Sequence, residues 1–237
     1  MPAPPSIATS TVSLQVAHAP PMNAFVARPA GAGPHPGLMV FQEAYGVNPH
    51  IRDVATRFAA EGFVAIAPEL FHRTGPGFEG RYGDFEGTKP HYDAITTPGL
   101  EADIQAAFAW LRQAPGVAGD RIHAVGYCMG GRVSFLANLV VPVASTVTYY
   151  GGGIVPEYLP RVVQAHGPAL CFWGGLDQHI GLDGPRKLAD AMRAAGKRHV
   201  HIEVSDAEHA FFCDARPSYN PRAARESWAL TLEFLRS

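Results

Sequence analysis

A cysteine set among glycines, Gly126-Tyr127-Cys128-Met129-Gly130-Gly131, is the sharpest chemical signal in the sequence. The apolar run Ile122–Gly126 leads into it, and a helical pattern beginning Val133-Ser134-Phe135 leads away. A strand, Gly-x-Cys-x-Gly-Gly and a helix form the layout of a nucleophile elbow, with sulfur where serine oxygen is more usual. Such a turn holds its central residue in a strained backbone conformation, so the side chain projects from the strand tip. Gly126 and Gly130 leave room for the turn, and Gly131 lets the helix pack close to the sheet. The helix N-terminus brings N–H groups and a positive dipole end towards the sulfur, favouring a thiolate and a developing oxyanion. The rival reading is a small buried thiol in an ordinary strand–helix turn.

A thiol nucleophile needs a base, and the base needs an orienting group. Past the elbow, Trp173-Gly174-Gly175-Leu176-Asp177 puts an acid in a glycine-softened loop after a strand. Further on, Val204-Ser205-Asp206-Ala207-Glu208-His209 puts a histidine in a loop before the last helix. The order nucleophile, acid, histidine suits an elbow enzyme, and each residue falls just past a strand end, where open α/β sheets bind ligands. His179 is a rival base, but it stands too near Asp177 to be presented separately. Asp183 and Asp206 read as turn or cap residues, and His123 as a strand residue directed away from the site.

The elements that must position these groups follow from periodicity. Short apolar runs at Gly37–Phe41, Phe63–Ala67, Ile122–Gly126, Ser145–Tyr149, Ala169–Trp173 and His199–Val204 read as strands covered on both faces. Apolar residues three and four apart mark helices over 53–60, 100–112, 184–195 and 221–235, with Pro185 and Pro221 suited to first turns. Alternation of this kind predicts an α/β fold with a mainly parallel central sheet and helices on both faces. The segment Pro29–Pro36 reads as a turn between an early hairpin and the main fold. The polar, glycine-rich stretch 74–98 reads as a long excursion beside a site.

The 237 residues suit one domain over 1–237, with 1–10 as a flexible N-terminal extension. No apolar run reaches the length of a membrane span, and no basic N-terminal segment precedes an apolar one, so a cytoplasmic location is expected. A formal net charge of −2 without clustered Lys or Arg gives no footprint for nucleic acid or an anionic membrane. Three widely spaced cysteines, Cys128, Cys171 and Cys213, read as reduced thiols. Eleven histidines, among them His50, His72, His91, His199 and His201, lack metal-ligand spacing, so neither a metal nor another cofactor is expected.

Together these motifs resemble the dienelactone hydrolase family, the cysteine branch of the α/β-hydrolases. The resemblance rests on Gln42-Glu43-Ala44-Tyr45-Gly46-Val47-Asn48, Ala67-Pro68-Glu69-Leu70-Phe71, the elbow, Gly174-Gly175-Leu176-Asp177 and Glu208-His209-Ala210-Phe211. It runs from about residue 10 to the C-terminus. It implies an α/β-hydrolase fold and a Cys128-His209-Asp177 triad. It also implies a gate role for Glu43, which contacts the resting cysteine in relatives and shifts when substrate binds. A carboxylate beside a thiol disfavours thiolate and spares it from oxidation at rest. Backbone N–H groups of Met129 and Ala44 are implied as the oxyanion hole. Arg81, Arg216, Tyr45, Tyr127 and Phe211 are substrate-binding candidates. Founding members carry an arginine four residues after the histidine, where this sequence has Cys213; Arg216 is near but out of register.

The function expected is hydrolysis of a carboxylic ester or enol-lactone by way of an acyl-thioester, acting on a small molecule as a monomer or small homo-oligomer. A general carboxylesterase or thioesterase for neutral substrates, and a catalytically silent small-molecule-binding protein of the same fold, are the alternatives.

Overall fold

The computed structural model describes residues 6–31 and 33–237, which carry eight strands of mixed direction and six α-helices. Two compact units divide the chain, 1–123 and 124–237, and the division falls within strand β5 (Val117–Tyr127).

In the first unit the strand order is β1 (Ile7–Leu14), β2 (Met22–Pro29), β4 (Val64–Pro68), β3 (His35–Phe41) and β5. β1 and β2 are the expected hairpin, antiparallel from Ile7 opposite Pro29 to Leu14 opposite Met22. Residues 7–10 are therefore no flexible extension, which corrects the expectation for them. They pair with residues 26–29 along the ladder. Residues 1–5 of that expected extension lie outside the described residues. β2 joins β4 antiparallel, whereas β3 and β4 run parallel.

Helix α1 (Pro49–Ala60) begins earlier than the apolar spacing indicated, because the Asn48 side chain accepts from Ile51 N at 3.2 Å and Pro49 supplies the first turn. Its buried face, Ile51, Val54, Ala55 and Phe58, packs on β2 and β4. The polar excursion contains a short helix, α2 (Phe85–Asp93), whose buried residue is Thr88. Thr96 caps α3 (Thr97–Gln113) by accepting from Gly99 N at 3.2 Å.

α3 carries a carboxylate, Asp103, with no exposed surface. Arg73 grips it through both terminal nitrogens, at 2.8 and 2.9 Å, and His72 Nε2 lies 3.1 Å away. This ties the turn after β4 to α3. Removing one member of a buried charge group strands the rest in low dielectric. Asp103→Ala is therefore expected to lower unfolding free energy by about 3 kcal/mol, read from urea midpoints at an unchanged slope.

In the second unit, β5 is followed in the sheet by β6 (Ser145–Tyr149), β7 (Ala169–Gly174) and β8 (His199–Val204). The pairs β6–β7 and β7–β8 are parallel. All six strands expected from the apolar runs are present. Helix α4 (Met129–Val140) is fastened to β6 by polar groups that are themselves buried. Ser134 Oγ lies 2.9 Å from Val147 O, and Thr146 Oγ1 donates to Ser134 O at 2.8 Å. α5 (Asp183–Ala194) lies against β8. α6 (Pro221–Arg236) meets β6 where the hydroxyls of Tyr149 and Thr231 share a hydrogen bond of 2.7 Å. No helix among the described residues is long and apolar enough to cross a membrane.

Candidate active site

β5 ends at Tyr127, and the next residue, Cys128, has φ 56° and ψ −118° before α4 starts at Met129. This is the strained elbow that the glycine pattern indicates. Gly126 is required there: a Cβ at that position would lie 1.8 Å from Gly130 O. The elbow is fixed by Cys128 N donating to Tyr149 O at 3.1 Å and Gly131 N donating to Cys128 O at 2.9 Å. Met129 N belongs to the first helical turn, where N–H groups have no acceptor within the helix and face outward.

The acid arrives on the loop after β7. A Cβ on Gly174 would meet Ala207 O at 2.6 Å, so glycine there lets this loop close on the one after β8. That approach brings Asp177 Oδ2 to 2.7 Å from His209 Nδ1. The other oxygen, Oδ1, accepts from His179 N at 2.9 Å and Ile180 N at 3.2 Å. Burial acts to raise the Asp177 carboxyl. The hydrogen bond and charge of His209 and the two backbone donors outweigh it, leaving the group below its ordinary value.

His209 donates from Nδ1, which leaves Nε2 for chemistry. The chain turns directly after it, at Ala210 with φ 63°. Burial opposes the charged imidazole, but hydrogen bonds to Asp177 and Cys128, with the charges of both, raise it to about 10. Two further rings frame it: Tyr150 with its centroid 5.0 Å away and His179 at 5.4 Å, edge to face. Tyr150 is wholly buried and has φ 39°, a conformation aromatic residues rarely adopt. Sequence reasoning passed over it, although an aromatic residue at a strand end before Gly151-Gly152-Gly153 is a readable signal.

His209 thus has Asp177 as one partner and Cys128 as another. Arg216 also reaches this region. It lines a cavity of about 300 Å3 with His209, His179, Gln178, Glu208 and Ser218. Tyr127 and Phe211, expected as substrate contacts, have no exposed surface. Tyr127 stacks on Tyr149 at 4.7 Å and on Phe212 at 5.0 Å, and Phe211 packs edge-on against Tyr150 at 5.3 Å. Their role is packing, which corrects the expectation. His123 is buried against Phe63, and that burial, aided by the charge of Arg121, lowers it to about 4. Asp206 pairs with Arg222, and Asp183 is the first residue of α5, whose N-cap is Leu182 without a side-chain capping bond.

In the first unit, Glu43 follows β3 and is wholly buried, with its Oε2 accepting from the Tyr82 hydroxyl at 2.6 Å. Tyr82 comes from the polar excursion and meets the ring of Tyr45 at 5.0 Å. Tyr82 belongs to no motif, so spacing does not single it out. Ala44 is buried in the same loop as Glu43, whereas Arg81 is exposed.

Strand order, elbow and covering helices define an α/β-hydrolase fold. The model of the Dienelactone hydrolase family matches residues 22–237, and the chain belongs to that family of hydrolases. A protein of Synechocystis sp., provisionally assigned as a carboxymethylenebutenolidase, is 33% identical over 214 residues, covering 86% of this chain and 87% of that protein. The carboxymethylenebutenolidase of a Pseudomonas species is 30% identical, covering 86% of this chain and 85% of its own length. A crystal structure from Klebsiella pneumoniae, provisionally assigned as a dienelactone hydrolase, superposes with a TM-score of 0.88 at 29% identity. It covers 98% of this chain and 99% of that one.

The Asp177–His209 pair makes stability depend on pH in a defined direction. Folding raises His209 from its ordinary 6.5 to about 10, so its contribution is complete below pH 6.5 and is lost as pH climbs towards 10. The melting-temperature difference between the wild type and His209→Gln is expected to shrink steadily over that interval, measured by calorimetry.

Proposed function

We propose that the chain hydrolyses a carboxylic ester or enol-lactone with Cys128 as nucleophile, His209 as acid–base and Asp177 as orienter. The observation that carries this reading is the 2.7 Å contact between Asp177 and His209 beside a cysteine held at φ 56°. In this mechanism His209 takes the thiol proton and the sulfur attacks the substrate carbonyl carbon. The Met129 N–H receives the oxyanion, and the resemblance implies the Ala44 N–H as the second donor. Collapse breaks the carbon–oxygen bond, and the departing alkoxide takes the proton back from His209. Water then gives a proton to His209 and attacks the thioester, which releases the acid and restores the thiol. Asp177 keeps the proton on Nδ1 and stabilises the imidazolium. The gate role that the resemblance implies for Glu43 belongs to the same proposal.

Cys128→Ala is expected to lower p-nitrophenyl acetate turnover by at least about a thousandfold while circular dichroism stays unchanged. Turnover at the wild-type rate would remove Cys128 from the reaction.

Whether the substrate carries its own carboxylate turns on Arg216, which shares a cavity with His209. A guanidinium there suits a carboxylate-bearing lactone better than a neutral ester. Arg216→Gln is expected to reduce kcat/KM for the free-acid lactone by about tenfold relative to its methyl ester. Equal losses on both would favour a general carboxylesterase for neutral substrates.

A further inference from the structure

A second cavity adjoins the first and shares a wall with it. It measures about 160 Å3 and lies between the loop after β6 and the start of α5. Gly152, Val155, Trp173, Ile180, Gly184 and Leu188 are among its walls. His179 lines both cavities, and its ring meets the His209 ring edge to face at 5.4 Å. A second link runs through Gly151. That residue follows Tyr150, whose ring lies 5.0 Å from His209, and a Cβ on Gly151 would touch the Gly131 carbonyl carbon at 2.7 Å. Gly131 is in the first turn of the helix that Cys128 opens. The small cavity therefore borders the triad through a side chain on one flank and through backbone on the other.

Its chemistry differs from that of its neighbour. The larger cavity has Arg216 and Glu208 in its walls, whereas no Asp, Glu, Lys or Arg lines the smaller one. Val155, Trp173, Ile180 and Leu188 stand in its walls beside polar surface to which the glycines and His179 contribute. A cavity of roughly 150 Å3 walled by apolar side chains accepts a benzene-sized guest. This cavity, of about 160 Å3 and open on one side, has room for an unbranched chain or ring of about six heavy atoms.

We propose that this cavity is a substrate subsite that takes an uncharged aliphatic or aromatic arm of about six heavy atoms, carried by the ester or lactone cleaved at Cys128. The inference rests on the thiol hydrolase reading above and adds a substrate class to it: a molecule with a compact apolar arm, its reacting carbonyl beside His209. Burial of each methylene in such a space favours binding by about threefold to fourfold, so arm length is the quantity to vary.

The test uses the full chain and two substrate series. p-Nitrophenyl acetate, butanoate, hexanoate and decanoate vary the acyl arm; methyl, butyl and benzyl acetates vary the alcohol arm. In one of the two series, kcat/KM is expected to climb by about tenfold or more up to the six-atom arm and to stop climbing beyond it. Gly184→Leu should blunt that preference. A Cβ at position 184 has Val155 Cβ as its nearest neighbour at 3.9 Å, so a leucine side chain has room to enter the cavity. The ratio of long-arm to short-arm kcat/KM is expected to fall by about tenfold. Leu188→Ala enlarges the same space and should move the optimum to longer arms, so either variant decides the matter if the other does not fold. Flat profiles in both series, with ratios unmoved by a folded variant, would overturn the subsite. Turnover that survives in Cys128→Ala would instead overturn the thiol mechanism, so the two failures read differently.

Discussion

The site depends on one backbone conformation that an L-residue ordinarily avoids, that of Cys128 at φ 56° and ψ −118°. Holding a non-glycine residue in such a region costs about 1–3 kcal/mol, so neighbouring contacts must over-determine it. They do so from three directions: the Gly126 backbone leaves space for Gly130 O, Gly131 N bonds Cys128 O, and Tyr149 O receives Cys128 N. Tyr149 is anchored in turn. Its ring stacks on Tyr127 and Phe172, both at 4.7 Å, and its hydroxyl meets Thr231 of α6. Strain at the sulfur is borne by an aromatic stack and a helix contact well away from the reacting atoms.

Two buried carboxylates illustrate how environment separates structure from chemistry. Asp103 is held by a guanidinium, a partner that keeps its charge at any ordinary pH, and it joins a turn to a helix. Asp177 takes its donors from two backbone N–H groups and an imidazole. Its cationic partner can therefore gain and lose a proton. The first arrangement is a fixed tie; the second can take part in a reaction cycle.

Much of this was legible in the sequence, because the signals were of the kind that local spacing carries. Continuous apolar runs mark the six later strands, and the order of elbow, acid and histidine marks the loops that meet at the 2.7 Å contact of Asp177 with His209. Ile7–Ser10 were missed because the proline-rich start hid the strand that follows it. Tyr127 and Phe211 were read as ligand contacts through their closeness to motif residues. Tyr127 closes β5 and Phe211 follows the turn at Ala210, however, and both rings face inward. The position of Arg216 was hidden for another reason. Successive turns, with Cys213 N on Ala210 O, Arg216 N on Cys213 O and Asn220 N on Phe211 O, curl the segment after His209. Counting along the sequence from the histidine does not follow such a path. The place of Tyr150 beside His209 is a ring-to-ring contact across loops, which spacing does not carry, and His179, weighed only as a rival base, stands edge-on to the same ring.

The loop after β6 is unequally constrained along its length. At Gly151 it is wedged against the helix that carries the elbow, where a single added methyl would collide with backbone. At its far side Val155 faces Gly184 across open space. One end is thereby fixed against the elbow helix, and the other has space around it. If the proposed subsite holds, exchanges at the loose end would change which substrate arm fits while leaving the backbone around the elbow as it is.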